Sequence, residues 1–113
     1  MEAEGTRATV VAPGTIRLQG DIDRGAETDV GAAYDGAREN GAGTLTLDFT
    51  DVTYINSTGI AVIVGLLARA RKDGVTVEAL GLTDHYRHVF EITRLADFMT
   101  IRQDGQVQTG GTR

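Results

Sequence analysis

Between Thr44 and Ala79 the hydrophobic period of this chain changes twice. Thr44 to Phe49 alternates strictly, with Leu45, Leu47 and Phe49 against Thr44, Thr46 and Asp48. Ile60 to Lys72 then repeats with helical spacing: Ile60, Ile63, Val64 and Leu67 form a stripe that Val62 and Leu66 widen. Val75, Val77 and Ala79 alternate again. A period near two marks a strand with one buried face, and a period near 3.6 marks an amphipathic helix. A strand–helix–strand run with short connections forces a crossover and a parallel pair.

The flanks extend this unit. Arg7 to Ala12 reads as a strand through Val10 and Val11, and Pro13-Gly14 is a turn. Thr15 to Leu18 is the return strand of a hairpin, ending in an acidic loop, Gly20-Asp21-Ile22-Asp23. Val30, Ala33, Tyr34 and Ala37 fall at i, i+3, i+4 and i+7 and predict a helix over about 26–40, stopped at Asn40-Gly41. Thr83 caps a helix with Tyr86, Val89 and Phe90 on one side. Leu95, Phe98, Met99 and Ile101 form a last packing segment and short strand. The expected order is β-β-α-β-α-β-α-(β): an α/β fold with a mixed, mainly parallel sheet of four to five strands on three to four helices, opening with a hairpin. Residues 1–103 make a single domain and 104–113 a flexible, Gly- and Gln-rich tail. There is no internal repeat.

Composition removes several function classes. The net charge is −5, and the one basic cluster, Arg69, Arg71 and Lys72, sits where charges favour a helix C-terminus. Direct nucleic-acid or anionic-membrane binding is not expected. There is no cysteine, hence no disulfide framework. Ile60 to Ala68 is too short an apolar run to span a bilayer. Met1 to Arg7 lacks the apolar stretch of a signal peptide, and a cytoplasmic location is the default expectation.

In an open α/β fold, ligand and partner chemistry collects at the carboxyl ends of the strands. Two segments meet there: Gly20 to Asp23 and Tyr54 to Gly59. Within the second, Asn56-Ser57-Thr58-Gly59 puts a serine at a helix N-terminus, where free N–H groups favour negative charge. Ser57 has three roles open to it: capping the helix, holding an anion, or receiving a phosphate. Thr58 is either a second acceptor or a residue turned inward to cap or pack. Gly59 permits close approach of backbone, by packing or by a partner. Asp21 and Asp23 are turn formers and caps, or partner contacts; they lack the accompanying groups of a catalytic or metal set. His85 and His88, three apart, have no ligand pattern around them. The glycines form no phosphate-loop spacing, so no cofactor is implied.

Three stretches carry a resemblance: Leu18-Gln19-Gly20-Asp21-Ile22-Asp23, Leu47-Asp48-Phe49-Thr50-Asp51-Val52 and Tyr54-Ile55-Asn56-Ser57-Thr58-Gly59-Ile60. With the element order from about Thr9 to Ile101, they make the chain similar to the STAS domain family, and within it to the stand-alone bacterial anti-sigma factor antagonists. The resemblance implies a STAS-like fold and a non-enzymatic regulator. It implies that Ser57 is phosphorylated by an anti-sigma factor that is also a serine kinase, and reset by a serine phosphatase. The unphosphorylated form binds the anti-sigma factor and the phosphorylated form releases it. Asp21, Asp23, Asn56, Thr58 and Gly59 are then partner-binding residues, and a weak homodimer is compatible with the family. The alternative is a constitutive scaffold or binding subunit of a stress-signalling or transport complex, with Ser57 only a cap. Members often have Asp before the serine; here Asn56 keeps the capping oxygen without the charge.

Overall fold

The structure, a computed structural model, describes residues 7–39, 41 and 43–102. The 104–113 tail and Asn40 lie outside them. Five strands form one sheet in sequence order, β1 (Arg7–Ala12), β2 (Thr15–Ile22), β3 (Thr44–Ile55), β4 (Thr76–Leu80) and β5 (Thr100–Arg102). β1 and β2 are an antiparallel hairpin around Pro13-Gly14, and the other neighbouring pairs are parallel. The connections are α1 (Ala26–Ala37), α2 (Ser57–Lys72), and α3 (Asp84–Ile92) with a short 3-10 turn at Leu95–Phe98.

The alternating runs place one sheet face in the core. Ile16, Leu18, Leu45, Leu47, Phe49, Val77 and Ala79 are buried. Their strand neighbours Arg17, Thr46, Asp48 and Glu78 are partly or fully accessible, and Arg17 pairs with Asp48 across the strands. Helices supply Val30, Tyr34, Ile63, Leu66, Leu67 and Phe90 to the same core. Phe90 meets Phe49 edge-on, with ring centroids 5.8 Å apart. Tyr34 is buried and donates its hydroxyl to Asp73 at 2.7 Å, while the Arg69 guanidinium lies over its ring and pairs with Asp35.

Four expectations change. α1 ends at Ala37 rather than near Asn40. β2 runs on through Ile22, so Gly20 to Ile22 is strand end rather than loop. β3 extends to Ile55, where alternation predicted an end at Phe49. The reason is two register shifts against β2, between Arg17 and Gln19 and between Gly20 and Asp21. An extra residue in one strand resets its inside–outside pattern, so the periodic signal breaks although the pairing continues. Finally, α2 begins at Ser57, and its buried stripe is Gly59, Ile63, Leu66, Leu67 and Ala70. Val64, expected in the stripe, is 45% exposed. The stripe is set by the sheet position of α2, which favours the small residues Gly59 and Ala70 at its close contacts.

Candidate functional site

β2 and β3 end side by side, with Ile22 paired to Ile55. The chain leaves β3 at Asn56, which is extended (φ −91°, ψ −177°), and enters α2 at Ser57. Asn56 is therefore the N-cap, using the capping oxygen it carries, and of the three roles open to Ser57 capping falls away. Its Oδ1 accepts the Gly59 N–H at 2.8 Å and the Thr58 hydroxyl at 2.8 Å. Its carbonyl accepts the first helical bond, from Ile60 N–H. Asn is among the strongest N-cap residues because its side chain reaches a backbone N–H that the helix leaves unpaired.

This cap divides the two hydroxyls. Thr58 is half-buried and its hydroxyl is committed to Asn56. Ser57, in the first helical position, is exposed, and among the described residues its hydroxyl has no hydrogen-bond partner.

Gly59 is buried against the end of β2. A Cβ there would stand 1.9 Å from the Ile22 carbonyl oxygen. The same oxygen accepts the Asn56 N–H at 3.2 Å. One carbonyl thus fixes how near α2 comes to β2, and only glycine allows that separation. On the other side, Ile55 N–H donates to the Tyr86 hydroxyl at 3.0 Å.

Asp21 and Asp23 flank Ile22 and so lie beside this junction. The Asp21 carboxylate is exposed and accepts the Thr53 hydroxyl at 2.6 Å. Asp23 accepts Gly25 N–H at 2.8 Å through Oδ1, and its carbonyl accepts Ala26 N–H. It shapes the turn into α1, as expected, but the N-cap of α1 is Gly25 and no side chain caps it. A depression of about 330 Å³ opens next to Thr58, lined also by Arg24, Glu27, Ala61 and Val62. His85 and His88 are exposed, His85 edge-on to Tyr86. Among the described residues no three His, Cys, Asp or Glu side chains converge as a metal site. No described helix is long and apolar enough to cross a membrane.

Two constraints on the site had no signal in the sequence. Tyr86 read as a core residue of α3 because its spacing matches Val89 and Phe90; its hydroxyl reaches a strand 31 positions earlier. The Ile22 contribution is a backbone oxygen, which no residue-type pattern reports.

The architecture defines a class first. The phosphorylated form of SpoIIAA, a Bacillus cell fate determinant, aligns with a TM-score of 0.60 over 93% of this chain and 97% of that one, at 18% identity, a likeness of fold. Its unphosphorylated form, an anti-sigma factor antagonist, aligns at 0.61 over 86% of each chain, at 17% identity. The family profile described as "Mlab, STAS domain" matches residues 6–102, and the chain belongs to the STAS domain family. Similar curated proteins are anti-sigma-B factor antagonists. The anti-sigma-B factor antagonist of Listeria monocytogenes is 32% identical over 87 residues, 77% of this chain and 76% of that protein.

Proposed function

We propose that this protein is a phosphorylation-switched anti-sigma factor antagonist of the cytoplasm. Unphosphorylated, it binds an anti-sigma factor that is also a serine kinase; phosphorylated on Ser57, it lets go, and a serine phosphatase restores it. The observation that carries this reading is the contrast within the hydroxyl pair. Ser57 is exposed and unbonded at the start of α2, while Thr58 is tied to the cap.

The chemistry asks little of this chain. The Ser57 oxygen attacks the terminal phosphorus of ATP, its proton passes to a base on the kinase, and ADP leaves. The kinase supplies nucleotide, magnesium and base; this chain supplies the hydroxyl and the docking surface around Asp21, Asp23, Asn56 and Thr58, while Gly59, expected as a partner contact, is buried beneath it and sets the position of α2. The product adds about −1.5 to −2 charge. At the first turn of a helix that charge is tolerated by the unpaired N–H groups and the helix dipole, so the fold survives. What changes is the partner surface, where bulk and negative charge arrive beside Asp21 and Asp23.

The second reading is a constitutive binding subunit, with Ser57 an ordinary exposed helix residue. Incubation with the organism's anti-sigma kinases and ATP, followed by mass spectrometry, separates the two. The switch requires phosphate on Ser57, none on Ser57→Ala, and weakened kinase binding by Ser57→Asp. Equal phosphorylation of Ser57→Ala would reject the site, and binding indifferent to Ser57→Asp would reject the switch.

A further inference from the structure

β3 outruns its neighbour. β4 pairs with β3 from Thr44 to Asp48, and from Phe49 to Ile55 no described strand lies on that side. Ile55, at the end of this overhang, is buried and immediately precedes the cap of α2. A buried N–H without a partner is costly. Here the partner is the Tyr86 hydroxyl, at 3.0 Å. Tyr86 is held in turn: its N–H donates to the Thr83 hydroxyl at 3.2 Å, and the His85 ring lies against it, centroids 4.8 Å apart. The other ties at the junction, from Ile22, Thr58 and Gly59, come from β2 and α2 themselves. Tyr86 is the side chain that reaches in from α3.

We propose that Tyr86 is a positioning residue for phosphorylation of Ser57. The inference rests on the reading of Ser57 as phosphate acceptor. Ile55 stands two residues before Ser57, so the Tyr86 hydroxyl takes the place of the missing strand and fixes the end of β3 from which α2 starts. Phosphoryl transfer depends on alignment of the attacking oxygen with the bond that breaks, and small misplacements lower the rate strongly. Docking uses the surface around Ser57 and does not need the buried tie. Loss of the hydroxyl therefore acts on kcat more than on KM.

The test compares wild type, Tyr86→Phe and Thr93→Ala as substrates of the anti-sigma kinase with ATP. Thr93 bonds the Val89 and Phe90 carbonyls at the far end of α3, so its loss weakens the helix without touching Ile55. Tyr86→Phe is expected to lower kcat for Ser57 roughly tenfold with KM within about twofold, and to speed hydrogen exchange at the Ile55 amide. Thr93→Ala, at a comparable loss of melting temperature, keeps the wild-type kcat. An unchanged kcat in Tyr86→Phe, or an equal drop in Thr93→Ala, overturns the role given to Tyr86 while leaving Ser57 as acceptor. Absence of phosphate on wild-type Ser57 overturns the switch itself, and the role of Tyr86 with it.

Discussion

Gly59→Ala is the sharpest probe of the junction. The added methyl would lie 1.9 Å from the Ile22 carbonyl oxygen and 2.6 Å from its carbon, and separations under 3.0 Å are essentially never found. The obstacle is backbone on both sides, so α2 or the end of β2 must move by about 1 Å, an overpacking that costs about 1–3 kcal/mol. The same shift stretches the Asn56 N–H bond to that oxygen, worth about 1 kcal/mol. Better helix propensity returns up to about 1 kcal/mol. The balance is a loss near 2 kcal/mol, or about 8–10 °C in melting temperature for a domain of this size. Gly65→Ala is the internal control. It lies in the same helix, and a Cβ there meets nothing within 4 Å. That variant should gain up to about 1 kcal/mol from propensity alone. Thermal denaturation followed by circular dichroism measures both. A Gly59→Ala protein that melts within about 2 °C of wild type would refute the claim that this contact sets the position of α2.

Asn56→Ala removes the oxygen that serves Gly59 and Thr58, and should cost about 1 kcal/mol in a denaturant titration, with its slope unchanged. Gly81→Ala meets a double obstacle, φ of +80° and a Cβ 2.4 Å from the Thr50 hydroxyl oxygen, and should lose at least about 1 kcal/mol in the same assay. Burial, then the hydrogen bond to Asp73, raise the Tyr34 hydroxyl above its ordinary value of 10.0. A raised folded value makes its contribution whole below pH 10 and loses it as pH climbs through the folded value, so stability measured above pH 10 should fall more gently in Tyr34→Phe than in wild type.

Element order and the position of the β3–α2 junction were legible in the sequence because each depends on local pattern. The strict alternation of Thr44 to Phe49 and the helical stripe after Ile60 name a strand and a helix wherever they occur, and Thr83 caps α3 as its type suggests. What escaped depends on the partner strand or on one torsion. The bulges that carry β3 to Ile55 exist only against β2. Both Asn56 and Ser57 could cap by type; Asn56 does because it keeps the extended backbone, and two adjacent polar residues give no periodic cue that decides between them. Tyr86 shows the same limit in a side chain: its spacing places the ring in the core, while its hydroxyl is spoken for by a strand end far away in sequence.

The outer strands have a consequence for how such a molecule is used. β1 carries a register irregularity between Val10 and Ala12, and β5 is three residues long with Arg102 held by Glu78. Neither offers the long flat rim along which sheets of different molecules zip together. An irregular outer strand on one side and a three-residue strand on the other shorten the stretch over which two copies of this sheet could pair edge to edge.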